Sequence, residues 1–94
     1  MTAYLIANIH VTKPEKYEEY KRFSSLAMQA HNAKVLVRGG KTEGLEGDTP
    51  SRTVVLEFPS IAAARTFYNS AQYRRARNVR EGAAVMTMYI VEGV

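Results

Sequence analysis

Two segments at opposite ends of the chain, residues 4–11 and 84–92, alternate with a period of two, and in each both alternating sets are largely apolar. In the first, Leu5, Ala7, Ile9 and Val11 stand against Tyr4, Ile6, Asn8 and His10; in the last, Val85, Thr87, Tyr89 and Val91 stand against Ala84, Met86, Met88 and Ile90. A period of two sends successive side chains to opposite faces of a strand. A sheet built on such strands has two faces to remove from water, and the rest of the chain must supply the cover.

The segments between are too few to cover both. Thr12-Lys13-Pro14-Glu15 has capping-box spacing with proline in the opening turn, which predicts a helix continuing from Tyr17 to about His31. Its stripe Tyr20, Phe23, Ala27 and Ala30 faces a core, with Glu15, Glu18, Glu19 and Arg22 toward water and Glu18 placed to pair with Arg22. After Asn32 and Ala33, residues 34–38 read as a second strand, broken at Gly39-Gly40 by a bulge or kink and resumed through residues 41–45. A polar turn over residues 46–51 makes a hairpin into a third strand at residues 52–58. Pro59-Ser60 stops that strand and caps a short helix to about Asn69; Ser70 caps a second helical segment to about Arg80, closed by Gly82.

The order is β-α-β-β-α-β: an α+β, ferredoxin-like domain with helices on one face of a four-stranded antiparallel sheet. At 94 residues the chain is one domain, 1–94, small enough that self-association adds usefully to its burial. The uncovered apolar face therefore predicts a homodimer in which two sheets face each other. A content of 46% hydrophobic and 23% charged residues excludes a disordered or fibrous chain. The absence of cysteine excludes disulfides, thiolate nucleophiles and cysteine-ligated metals. The first residues lack the basic leader of a secretory signal and no stretch is long enough to span a membrane, so the expectation is a cytoplasmic protein with no membrane partner. A formal charge of +4 has two readings, because Arg74, Arg75, Arg77 and Arg80 form either a solvated helix face or a phosphate-binding patch.

Charge inside apolar strands marks the candidate functional residues. Arg38, beside two glycines that permit close backbone approach, has the planar fork that suits a carboxylate or phosphate; alternatively it pairs with Glu57 or Glu43. Glu57, on the side of Thr53 and Val55, is a candidate base or an ion-pair partner. His10 shares a face with Asn8, Ile6 and Tyr4 and is the best acid-base group available if that face borders a cavity; otherwise it is an interface residue. Tyr68 and Tyr73, with Arg77 and Arg80 nearby, either hold an aromatic acid or pack as core. His31, near a helix C-terminus, reads as a dipole partner. Two histidines on separate elements make no metal site, and there is no nucleophile elbow, phosphate loop or dinucleotide fingerprint, so neither metal nor cofactor is expected.

Leu36-Val37-Arg38-Gly39-Gly40-Lys41, Leu45-Glu46-Gly47, Val55-Leu56-Glu57-Phe58-Pro59-Ser60, Tyr68-Asn69-Ser70 with Tyr73, and Ile90-Val91-Glu92-Gly93-Val94 together resemble the domain of unknown function 1330 family across essentially the whole chain. The resemblance implies a dimeric α/β barrel, in a superfamily that includes cofactor-independent quinol and polyketide mono-oxygenases, muconolactone-type isomerases and haem-degrading enzymes. The chain departs from the family pattern at Lys13, where aspartate is common, at Gln72, where the family often has glutamate, and around Asn8, where it often has histidine.

Three functions follow as expectations. The first is a cofactor-independent enzyme, isomerase or mono-oxygenase-like, moving a proton on a small anionic or aromatic metabolite, with Arg38 as anchor, His10 and Glu57 as catalytic groups and Asn8, Tyr68 and Tyr73 as ligand contacts. The second is a small-molecule-binding or regulatory module without turnover. The third, RNA binding, is disfavoured because the third strand offers Val54, Val55 and Leu56 where RNA-recognition sheets carry stacking aromatics, so no nucleic-acid partner is expected.

Overall fold

A computed structural model describes all 94 residues. In chain order it contains β1 (Ala3–Val11), α1 (Pro14–Ala30), β2 (Lys34–Arg38), β3 (Arg52–Phe58), α2 (Ile61–Tyr68), α3 (Ala71–Arg80) and β4 (Ala84–Glu92). The strands form one antiparallel sheet in the order β2-β3-β1-β4, which sets the two doubly apolar strands side by side. Leu5 lies opposite Leu56 on one side and Ile90 on the other; Ile6 lies likewise between Val55 and Tyr89. The shortest dimension is 16 Å, the thickness of one sheet and one layer of helices, so a single face is covered.

That face carries the core. Leu5, Ala7 and Ile9 of β1 and Val54, Leu56 and Phe58 of β3 meet Tyr17, Tyr20, Ala27 and Met28 of α1, with Phe67 of α2 and Tyr73 and Ala76 of α3. Phe67 is the hub, its ring 5.3 Å from Phe58 and 4.8 Å from Tyr73. Ser60 and Ser70 cap α2 and α3, accepting from the backbone N–H of Ala63 at 3.0 Å and of Tyr73 at 3.1 Å, so the region between β3 and β4 is two helices broken at a capping serine.

The α1 region differs from the sequence reading in three ways. Its N-cap is Lys13, with no side-chain cap, because Thr12 and Lys13 instead donate their backbone N–H groups to the Ala83 carbonyl at 2.8 and 3.0 Å. Its buried stripe is Tyr17, Tyr20, Ser24, Ala27 and Met28, rotated from the expected one so that Ala30 is exposed and Phe23 half-buried. Glu18 pairs with Lys21 at 2.8 Å and not with Arg22. Beyond Arg38 the second strand does not resume: residues 40–50 form no regular structure and are almost wholly exposed, Leu45 included.

The opposite face of the sheet is bare. Val37, Val55, Ile6 and Tyr89 make an apolar row across it, flanked by Val91 and Tyr4, while Thr53, Asn8 and Thr87 make a parallel polar row.

Candidate functional site

Between α1 and the sheet lies a cleft whose floor is Leu5, Ala7, Ile9, Val54 and Leu56 and whose helical wall is Tyr17, Tyr20, Ser24 and Met28. Tyr73 and Phe67, both buried, line it as well, and three cationic residues, the exposed Arg38 and the half-buried Lys21 and Arg52, form its rim. About 20 Å³ is free inside. That is room for about one water.

Arg38 reaches this cleft through a β-bulge. Strict alternation from Lys34, which lies opposite Glu57, would put Leu36 and Arg38 on the bare face. The register instead slips between Val35 and Val37, so that Val35 opposes Leu56, Val37 opposes Val55 and Arg38 opposes Val54. One extra residue, Leu36, reverses the facing of everything after it. The Arg38 guanidinium consequently turns toward α1, donating to Ser25 Oγ at 2.7 Å and to the Lys21 carbonyl at 3.4 Å. It makes no pair with Glu57 or Glu43; the cation beside Glu57 is Lys34, at 3.7 Å.

Arg52 opens β3 on the same face as Val54 and Leu56. Its Nε–H donates to the Tyr17 hydroxyl at 3.1 Å and its guanidinium lies 5.5 Å from the Tyr17 ring centroid. Gly39 makes this possible. Its φ of +70° is left-handed, and a Cβ there would overlap the Arg52 guanidinium. The left-handed turn that follows Arg38 thus clears the space in which Arg52 sits. Neither arginine has a carboxylate partner.

Deeper in, the Tyr20 and Tyr73 hydroxyls are 2.6 Å apart. Tyr73 donates to Met88 Sδ at 3.9 Å, which leaves Tyr20 to donate to Tyr73. Burial, above all, pushes the Tyr20 hydroxyl far above its ordinary range, with the neighbouring Tyr73 adding to it. Burial also raises Tyr73, against the opposing pull of its bond with Tyr20 and of the Arg80 charge. Both stay protonated at neutral pH and can act there as hydrogen-bond donors but not as bases. No carboxylate or imidazole lines the cleft.

Of the residues singled out from sequence, Arg38 and Tyr73 meet in this cleft and the others do not. His10 and Asn8 lie across the sheet, in a shallow depression with Asp48, Ser51 and Thr87. There Ser51 Oγ donates to the Ile9 carbonyl at 3.0 Å, so the His10 contact to Ser51 at 3.2 Å is a donation from Nδ1, leaving Nε2 free. Glu57 is on that bare face too. Tyr68 accepts from Arg77 at 3.0 Å and faces a separate apolar notch beside Met88, Tyr89 and Ile90. Arg38 and His10 therefore cannot serve one ligand within a single chain. His31, at the end of α1, donates from Nε2 to Gln72 Oε1 at 3.3 Å.

Arg52 and Tyr17 were not foreseen, and Tyr20 was read from sequence only as part of the core-facing stripe of α1, which it is. Arg52 shares its parity with Val54, Leu56 and Phe58, and the same alternation that placed Glu57 with Val55 would have placed Arg52 with the core.

The family model described as a domain of unknown function, DUF1330, matches residues 2–94. No curated protein matches the chain. Among solved structures, a protein of unknown function from Rhodopseudomonas palustris is similar with a TM-score of 0.75 at 21% identity, over 99% of this chain and 82% of that one. A dimeric protein of unknown function and ferredoxin-like fold from Bacteroides fragilis is similar with a TM-score of 0.60 at 13% identity, over 98% of this chain and 96% of that one. SnoaB, a cofactor-independent oxygenase from Streptomyces nogalater, is similar with a TM-score of 0.55 at 10% identity, over 99% of this chain and 91% of that one. At these identities the likeness is one of fold.

Proposed function

The chain belongs to the DUF1330 family, and from the chemistry of its cleft we propose that it is a cofactor-independent enzyme acting on a small aromatic or enolic acid. The observation that carries this reading is the pair of guanidiniums, Arg38 and Arg52, set without carboxylate partners on the rim of a tyrosine-walled cleft. Two adjacent positive charges favour the ionised form of a bound acid, phenol or enol. The acidic group sits between the arginines and the ring lies against Tyr17. With no base lining the cleft, the ligand's proton leaves to water at the rim, and the anion so held is the reactive species. The fold shared with SnoaB supports the class of reaction but does not identify a substrate.

The functional unit on this reading is a homodimer. Only 17 of the 94 residues are buried in the single chain, and the apolar row of Val37, Val55, Ile6 and Tyr89 calls for a cover that a second sheet supplies. That face does not suit RNA, since on its side the central strands β1 and β3 offer Tyr4 as their one stacking ring besides the His10 imidazole.

Binding without turnover is the second reading, favoured by the lack of any imidazole or carboxylate in the cleft. Incubation with a panel of hydroxylated aromatic acids and enolisable keto acids, followed by mass spectrometry and oxygen-uptake measurements, separates the two. A converted panel member, with conversion lost in Arg38→Ala and Arg52→Ala, is the expected result. A ligand bound tightly and recovered unaltered supports the module; no binding by any acid overturns both.

A further inference from the structure

The cleft is nearly full, yet a much larger groove of about 550 Å³ lies against it, between the C-terminal half of α1 and the start of β2. Ser25, Met28, Gln29, Asn32, Ala33 and Val35 line that groove. Two residues border both spaces, Met28 and Arg38. Arg38 is the exposed one of the two, and its guanidinium spans from β2 to α1, held there by Ser25 Oγ at 2.7 Å and the Lys21 carbonyl at 3.4 Å. It is a partition fastened by neutral acceptors.

The consequence is steric. A cavity that holds a benzene ring is of the order of about 150 Å³, and the cleft offers about 20 Å³. A ring enters only if a rim side chain moves. Arg52 is stacked on Tyr17 and seated over Gly39, whereas Arg38 keeps its place by hydrogen bonds to a hydroxyl and a carbonyl. A ligand carboxylate is a stronger acceptor for a guanidinium than either.

We propose that Arg38 is the selectivity gate of the cleft: an incoming anion draws its guanidinium off Ser25 and the Lys21 carbonyl, admitting the ring to the cleft and leaving the remainder of the ligand in the adjoining groove. This rests on the reading of the cleft as an aromatic-acid site and adds the condition for entry and the ligand class. The favoured ligand is an acid longer than one ring, whose tail meets the apolar surface of Met28 and Val35 and the amides of Gln29 and Asn32. Neutral isosteres are excluded because they leave the gate fastened.

Isothermal titration with 4-hydroxybenzoate and its neutral isostere 4-hydroxybenzamide tests the gate in wild type, Arg38→Ala and Ser25→Ala. Wild type should prefer the acid. Ser25→Ala, which loosens the gate but keeps the anchor, should bind the amide roughly tenfold better without losing the acid. Arg38→Ala should gain the amide and lose the acid by roughly 10- to 100-fold. If neither variant gains the amide while Arg38→Ala still loses the acid, Arg38 is an anchor alone and the gate is wrong, though the aromatic-acid reading stands. A ligand-free measurement covers the converse case. The chain has no tryptophan, so its emission is tyrosine emission, and quenching by neutral acrylamide should rise in both variants as Tyr17 and Tyr20 become reachable. Unchanged quenching overturns the gate even if no aromatic acid binds.

Discussion

Replacing Gly39 by alanine probes the link between backbone and site most sharply, because two independent features of the structure oppose a Cβ there. The left-handed φ of +70° costs a non-glycine residue about 1–2 kcal/mol. The Cβ also overlaps the Arg52 guanidinium, which must leave the Tyr17 hydroxyl at 3.1 Å and its ring at 5.5 Å. Those contacts are worth about 1 kcal/mol for the hydrogen bond and about 0.5–1 kcal/mol for the cation–π contact. The sum, about 2.5–4 kcal/mol, is less than the roughly 5–15 kcal/mol a domain of this kind can have. Gly39→Ala should therefore fold, with a urea midpoint well below wild type. Displacing Arg52 should also weaken an aromatic acid by roughly 10- to 100-fold, the loss of one charge-assisted contact. Gly40→Ala is the control, since no atom lies within 4 Å of a Cβ at that position and its φ is not left-handed; it should match wild type in both assays. Because both changes remove the same Arg52 contacts, Gly39→Ala combined with Arg52→Ala should lose less affinity than the two single losses added. Equal behaviour of the Gly39 and Gly40 variants, or full additivity with Arg52→Ala, would refute the reasoning.

Three further outcomes follow from the same geometry. Burial keeps Tyr20 and Tyr73 protonated in the folded state above the pH of about 10 at which the unfolded chain releases those protons. Stability should be level below that pH and fall above it, by up to about 1.4 kcal/mol per pH unit for each hydroxyl, and Tyr20→Phe should make the fall visibly shallower in denaturation curves at rising pH; an unaltered slope contradicts the assignment. Ile6→Glu puts a carboxylate between Val55 and Tyr89 on the bare face, and on the proposed homodimer sedimentation velocity should find a dimer for wild type and a folded monomer for the variant; a dimer that survives the change means the chains do not meet on that face. His10→Ala and Glu57→Gln, both across the sheet from the cleft, should leave the affinity for 4-hydroxybenzoate within about twofold of wild type by calorimetry, and a loss comparable to that of Arg38→Ala would move the site to the other face.

The parts of this structure that were legible in the sequence are those governed by local chemistry. The period-two alternation of residues 4–11 and 84–92 specified the strands and sorted their side chains into two sets, though with both sets largely apolar it did not say which faces the helices, and Ser60 and Ser70 announced two helices because a hydroxyl before a helix satisfies orphan N–H groups whatever lies elsewhere. Thr12 had the same local signature and lost, since the Ala83 carbonyl, distant in sequence, took the backbone at the head of α1. Arg38 illustrates the larger gap. Its importance was visible, but its facing depended on the bulge at Leu36, and a one-residue slip in pairing leaves no mark in composition or period. Gly39 looked like a strand breaker; only the fold reveals that it is small to make room for Arg52. The cleft itself is an interaction between residues 17–28, 38 and 52, and no single segment carries its signal.

The most direct test of the account is where an aromatic acid binds. Chemical-shift mapping of the amide resonances during titration with 4-hydroxybenzoate should give perturbations clustered at Tyr17, Ser24, Ser25, Arg38, Gly39 and Arg52, the residues around the two-arginine rim. Perturbations centred on Asn8, His10 and Thr87, across the sheet, would contradict it.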